Sequence, residues 1–142
     1  MKKIIIINGP NINLTGIREK GVYGTLTLEE INNSIDAYAK EQGVWCEFFQ
    51  SNSEGALIDK LHSLMGTGIG AVLNAGAYTH YSYAIRDAIA SIDVPVVEVH
   101  MSNVMSREEF RHKSVIGPVC TGTIAGFGAM SYILGVHALL EQ

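Results

Sequence analysis

The chain has 142 residues, 47% of them hydrophobic and 17% charged, and a formal net charge of −4. These figures suit one domain with a sizeable core and exclude a disordered chain. The ten Lys and Arg are spread along the sequence rather than gathered in a basic stripe, which argues against a nucleic-acid binder.

A charged fraction this low implies either surface buried in a partner or unusually buried elements, and of the two homo-oligomerisation is expected. An anionic substrate would have to be drawn in by a few local arginines against the overall field. Lys2 and Lys3 precede Ile4 to Ile7, an apolar run too short for a secretion signal and closed by Asn8-Gly9-Pro10. Residues 3–8 read instead as a buried parallel strand. A loop over residues 9–25, about seventeen long, is unusual in so small a domain, and such loops are commonly lids or binding loops.

Thr27 and Glu30 have the spacing of a capping box, followed by a helix with Leu28, Ile31, Ile35, Tyr38 and Ala39 on one face and Gly43 as its stop. Residues 44–50 form the second predicted strand. Ser51 with Glu54 offers another capping box, opening a helix that buries Leu57, Ile58, Leu61, Leu64 and Met65 and closes at Gly66. A third strand over 69–74 leads to a helix over 79–91 that buries Tyr81, Ile85, Ala88 and Ile89. A fourth strand spans 95–99, with Pro95 at its start where a missing donor is tolerable. A polar turn-helix near 102–109, a fifth strand over 114–119 and an apolar helix over 125–140 complete the chain. This alternation predicts an α/β fold: a doubly wound, five-stranded parallel sheet with helices on both faces, in a single catalytic domain over residues 1–142. No stretch has the length of a membrane span. Cys46 and Cys120 make neither a Cys-x-x-Cys motif nor a disulfide framework, so reduced cytoplasmic thiols are expected.

Ligands of open α/β sheets bind at the carboxyl ends of the strands. Past the first predicted strand lie Asn11, Arg18 and Tyr23; past the second, residues 51–55; past the third, Asn74, Gly76 and His80. Past the fourth come His100, Ser102, Arg107 and Arg111. This set holds titratable groups, amides and cations but no evident nucleophile, which favours proton transfer over covalent catalysis. Each member also has a structural explanation: a tight turn at Asn8 to Asn11, a loop anchor at Tyr23, a surface charge at Arg18, a cap or turn at Asn74, and a hydrogen-bonded core imidazole at His100. His80 stands near a helix start, where a neutral ring is favoured over a cation. His62, His112 and His137 receive no role. His80 and His100 lack metal-ligand spacing, and there is no phosphate loop, dinucleotide fingerprint or nucleophile elbow. The glycine-rich stretch over 122–128 is a weak signal. None of the six lysines sits at an apolar strand end, as a Schiff-base lysine would.

Taken in order, several motifs resemble those of the type II 3-dehydroquinate dehydratases. They are Asn8-Gly9-Pro10-Asn11-Ile12-Asn13-Leu14 with Gly16, Arg18-Glu19 and Tyr23-Gly24; Gln50-Ser51-Asn52-Ser53-Glu54-Gly55; and Asn74-Ala75-Gly76-Ala77-Tyr78-Thr79-His80. Glu98-Val99-His100-Met101-Ser102-Asn103, Arg107-Glu108-Glu109-Phe110-Arg111-His112 and Gly126-Phe127-Gly128 complete the set. The resemblance covers essentially the whole chain. It implies a flavodoxin-like sheet, a cytoplasmic homododecamer of four trimers, and cofactor-free anti elimination of water from 3-dehydroquinate, through an enolate, in the shikimate pathway to chorismate and the aromatic amino acids.

By motif position, Tyr23 would be the base at C2, Arg18 would favour its phenolate, and His100 would protonate the departing hydroxyl. Asn11 would hold a water at the enolate oxygen, and Glu98 would orient His100. Asn74, Gly76, His80, Arg111 and the backbone at Met101 and Ser102 would bind substrate, with Asp87 reaching in from a neighbouring subunit. Elementary chemistry agrees: a phenol of pKa about 10 needs a nearby cation to act as base at neutral pH, and an imidazole of about 6.5 can act as acid there. Thr15, Lys20, Ser53 and Ala75 depart from the family's usual residues, the first two inside the expected lid. The reading from another class is a flavodoxin-like small-molecule binding module without catalysis, which has no reason to keep Arg18, Tyr23 and His100 together.

Overall fold

A computed structural model of the protein describes residues 2–17 and 25–142. Its first strand, β1 (Lys2–Asn8), carries the isoleucine run, and all four isoleucines are at most 1% exposed. A strand alternates its side chains between two faces, so an unbroken apolar run requires cover on both. That cover comes from the helices α1 (Leu28–Glu41), α2 (Glu54–His62), α3 (Tyr83–Ser91) and α4 (Met130–Leu140). Ile5 and Ile7 pack with Leu57 and Leu61 of α2 and Ile85 and Ile89 of α3. Ile4 and Ile6 pack on the opposite face with Ile31 and Ile35 of α1 and Tyr132 and Val136 of α4.

The remaining strands are β2 (Val44–Gln50), β3 (Gly70–Asn74), β4 (Val96–His100) and β5 (Gly122–Ala125). They pair in parallel in the order β2-β1-β3-β4-β5, the doubly wound arrangement expected. The chain steps outward from β1 to β2, then returns past β1 to β3. The ends of β1 and β3 therefore flank the switch point, in register at Asn8 and Asn74. Thr27 caps α1 through the full reciprocal box with Glu30. No helix among the described residues is long and apolar enough to cross a membrane.

Several boundaries differ from expectation. The segment 114–119 is not the fifth strand: it contains a 3-10 turn, Gly117–Val119, with Pro118 at its start, and the Val115 N–H goes to the carbonyl of Thr79 instead of to a sheet neighbour. β5 comes from the glycine-rich stretch, with Glu98 opposite Thr123 and His100 opposite Ala125. The last helix accordingly starts at Met130, after a turn in which Gly126 and Gly128 take positive φ of 101° and 62°, open to glycine at no steric cost. The helix expected over 79–91 begins at Tyr83, capped by Ser82, after a 3-10 turn over Gly76–His80, so Tyr81 is 59% exposed rather than buried. Ser53, not Ser51, caps α2, because Ser51 Oγ is taken by the Ser53 N–H. α2 itself ends at His62, before Gly66, which leaves Met65 exposed.

One buried tie joins α4 to the switch point. Tyr132 is fully buried, and burial pushes its phenol far above the ordinary value, so it stays protonated. Its hydroxyl donates to Asn8 Oδ1 at 2.6 Å and accepts from Asn74 Nδ2 at 2.9 Å. Tyr132→Phe keeps the ring but leaves both amides short of a partner. The expected loss is about 1–3 kcal/mol of unfolding free energy, read by denaturant titration at one protein concentration. A loss below about 0.5 kcal/mol would show the tie to be energetically idle.

Candidate active site

A crevice of about 150 Å³ opens along the carboxyl ends of β1, β3 and β4. The loop after β1 forms one wall. Gly9 lies against the backbone of Ala75, so close that a Cβ there would sit 2.6 Å from the Ala75 carbonyl oxygen. Gln50, at the end of β2, donates to the Gly9 carbonyl at 3.0 Å, and the Asn11 N–H donates to Asn52 Oδ1 at 3.0 Å. Asn11 adopts a left-handed backbone, φ 68°, and its side chain makes no capping bond to the short 3-10 turn Ile12–Leu14 that follows. Its amide lines the crevice. Thr15 is buried and satisfied: its hydroxyl donates to the Ile12 carbonyl at 2.6 Å.

The end of β3 supplies the floor. Asn74 is 3% exposed, bonded to Tyr132 on one side and accepting from the Gly76 N–H at 3.1 Å on the other. Gly76, at φ +60°, lets the chain turn beneath Pro10 and leads to His80. The end of β4 brings His100, with Met101 and Ser102, to the same crevice. The 3-10 turn Glu109–His112 and the residues before it add Arg107 and Arg111.

The two imidazoles lie nearly parallel, centroids 6.2 Å apart and planes 19° off. His100 Nε2 is 2.5 Å from Glu98 Oε2, and Glu98 is only 1% exposed. A carboxylate at Nε2 makes that nitrogen a donor and leaves Nδ1 as the one that exchanges a proton. His80 has the opposite arrangement: its Nδ1 donates to the Lys113 carbonyl at 2.8 Å, so the neutral ring presents Nε2 as an acceptor. Burial, above all, holds His80 below the ordinary imidazole value. The Lys113 carbonyl opposes that shift, and His100 and Arg111 add to it. Phe110 meets the His80 ring edge-on at 5.8 Å, and the Arg111 guanidinium lies 4.6 Å from the Phe110 centroid. Arg111 Nε donates to Glu108 at 3.2 Å, and Arg107 Nη1 reaches Ser102 Oγ at 3.4 Å. Burial pushes the thiols of Cys46 and Cys120 up to about 11 and about 12, which makes both poor nucleophiles near neutral pH.

Of the residues singled out in the sequence, Asn11, Asn74, Gly76, His80, His100, Met101, Ser102 and Arg111 line one crevice, and Glu98 stands directly behind His100. Asp87 does not: it is exposed on α3 and contributes nothing to the crevice of its own chain. Arg18 and Tyr23, and with them Lys20, lie outside the described residues. Sequence reasoning left Arg107 without a role, although its place four residues before Arg111 puts both guanidiniums on one loop. It also missed Tyr132, for which a tyrosine within an apolar helix is the available signal, and the carbonyl of Lys113, for which there is none.

Fold and crevice together define a flavodoxin-like α/β protein with paired imidazoles and guanidiniums at the sheet's switch point. A family model described as dehydroquinase class II matches residues 2–140. A protein of Caldicellulosiruptor bescii named 3-dehydroquinate dehydratase is 56% identical over 142 residues, covering 99% of this chain and 98% of that one. The crystal structure of a type II dehydroquinase from Butyrivibrio crossotus superposes with a TM-score of 0.96 at 52% identity, covering 98% of this chain and 97% of that one. The corresponding structure from Propionibacterium acnes gives 0.97 at 38% identity, with 100% and 98% covered. The chain belongs to the class II dehydroquinase family.

The lowered affinity of His80 for its proton has a consequence for stability. An imidazole in the unfolded chain titrates near pH 6.5, above folded His80, so between the two titrations the unfolded state holds more protons and stability rises with pH. Full stabilisation is present above about pH 6.5 and is lost as the pH falls below it. His80→Gln should flatten the rise of unfolding free energy with pH below about pH 6.5 relative to the parent chain, and an unchanged slope would contradict the assignment.

Proposed function

We propose that this protein is a hydro-lyase converting 3-dehydroquinate to 3-dehydroshikimate by anti elimination through an enolate, as one catalytic domain acting in the cytoplasm in the shikimate route to chorismate and the aromatic amino acids. The observation that carries the reading is the His100–Glu98 pair at 2.5 Å, opening onto a crevice with a neutral imidazole and two guanidiniums, in a chain of the class II dehydroquinase family.

The chemistry divides as follows. Tyr23, as phenolate favoured by the Arg18 guanidinium, takes the proton beside the ketone. The charge that develops is an enolate oxygen, and a water held by Asn11 donates to it. His100, protonated at Nδ1 and held through Nε2 by Glu98, gives its proton to the departing hydroxyl. His80 accepts a hydrogen bond from a substrate hydroxyl at Nε2, Asn74 supplies amide contacts, and Arg111 pairs with the substrate carboxylate. Gly76 and the backbone at Met101 and Ser102 complete the pocket by close main-chain approach. The assembly is a homododecamer of four trimers, in which Asp87, exposed on its own chain, reaches the crevice of a neighbour.

Purified protein given 3-dehydroquinate should produce the ultraviolet absorbance of a conjugated enone, saturably and with no added cofactor. His100→Ala and Tyr23→Phe should each lower turnover by roughly a hundredfold or more, the scale of a lost general acid or base. Near-normal turnover in either variant would remove that residue from the mechanism. Borohydride added with substrate should leave the enzyme active; inactivation with a covalent adduct would replace the enolate route with a Schiff base.

A further inference from the structure

Between the turns Glu109–His112 and Gly117–Val119, residues 113–115 cross behind the crevice as a strap tied at every position. The Lys113 carbonyl holds His80 at 2.8 Å. The Val115 N–H donates to the Thr79 carbonyl at 2.9 Å, and its carbonyl accepts from Arg86 at 3.0 Å. Between them, Ser114 Oγ donates to Glu98 Oε1 at 2.8 Å and accepts from the Gly117 N–H at 2.9 Å. Thr123 Oγ1 approaches the same carboxylate oxygen at 3.4 Å.

We propose that Ser114 is a positioning residue for His100, acting through Glu98. The inference rests on the acid role proposed for His100. A hydroxyl has one proton, and the Gly117 N–H occupies the acceptor side of Ser114, so its proton is committed to Glu98. Glu98 is nearly inaccessible to water, and a buried carboxylate keeps its charge only where donors replace the lost solvent. With Oε1 so held, Oε2 is fixed on His100 Nε2. The other groups around this pair are His80 from the 3-10 turn, Arg107 and Arg111 from the loop after β4, and Cys120 beside Glu98. The cations among them repel positive charge on the His100 ring, and the Glu98 carboxylate in contact with it offsets that repulsion.

Ser114→Ala should lower kcat about tenfold, the scale of one hydrogen bond to a charged group, with KM changed less than about twofold. The high-pH limb of kcat should move to lower pH, because the imidazolium loses support. Ser114→Thr, which keeps the hydroxyl, should restore most of the rate. Gly117→Ala retains the hydroxyl but places a Cβ 3.2 Å from Glu98 Oε1, and should move the same limb. A limb unmoved in both Ser114→Ala and Gly117→Ala, with kcat and KM falling together, would overturn the inference. A parent enzyme inactive on 3-dehydroquinate would instead defeat the proposed function. In that event the imidazole 15N titration of His100 still decides the positioning role: a lower midpoint in Ser114→Ala supports it and an unchanged one refutes it.

Discussion

The constraint on which the structure depends is that β1 is covered on both faces. A strand with no exposed side can be only isoleucine-like along its length, and polar groups can appear only where it ends. Asn8 is that end, paired in register with Gln50 on one side and Asn74 on the other. β3 likewise is buried at every position and polar only at its end, Asn74, whereas the equally buried β4 carries Glu98 within it, held by Ser114, Thr123 and His100. Polar chemistry is therefore concentrated at one rim of the sheet, and the reversal of strand order beside β1 parts the loops there to leave a crevice.

Burying polar groups at that rim has to be offset by partners, which Asn8, Asn74, Tyr132 and Glu98 have, while the Thr79 hydroxyl is buried without one. Tyr132 spans Asn8 and Asn74. Glu98 is shared among His100, Ser114 and Thr123. A satisfied buried network is stiff, because no member can turn without leaving another unpaired. The stiffness matters for proton transfer, whose rate depends on holding donor and acceptor atoms at hydrogen-bond distance. The rim is thus rigid behind the imidazoles, while Pro10, Asn11 and Ile12 after β1 form the facing wall.

Much of this was legible in the residues. The isoleucine run, the Thr27–Glu30 box and the alternation of periods report local rules that the tertiary structure did not override. The described candidates past β1, β3 and β4 fall into one crevice because a parallel sheet places them there, while residues 51–55 past β2 do not line it. The fifth strand was not legible. Residues 114–119 have the composition of a strand, but Pro118 cannot donate and Val115 is claimed by Thr79. Residues 122–125, at the head of the glycine-rich stretch, pair with β4, where the neighbouring edge decides. Ser114 and Lys113 were invisible for a related reason: one acts through a hydroxyl and the other through a carbonyl, aimed by contacts distant in sequence.

His80 and His100 show how far environment, rather than residue type, sets chemistry. Both are imidazoles in the same crevice, 6.2 Å apart. One has a carbonyl at its inner nitrogen and the other a carboxylate. A carbonyl accepts from the neutral ring and supplies no countercharge, so burial beside a guanidinium keeps His80 uncharged and an acceptor toward the ligand. A carboxylate offers the His100 ring a countercharge that the carbonyl at His80 does not. Exchanging the partners would exchange the roles without changing either side chain. The strap over 113–115 provides one partner directly and ties the other through Ser114, so the difference between the two rings is set by a segment that lies outside the sheet.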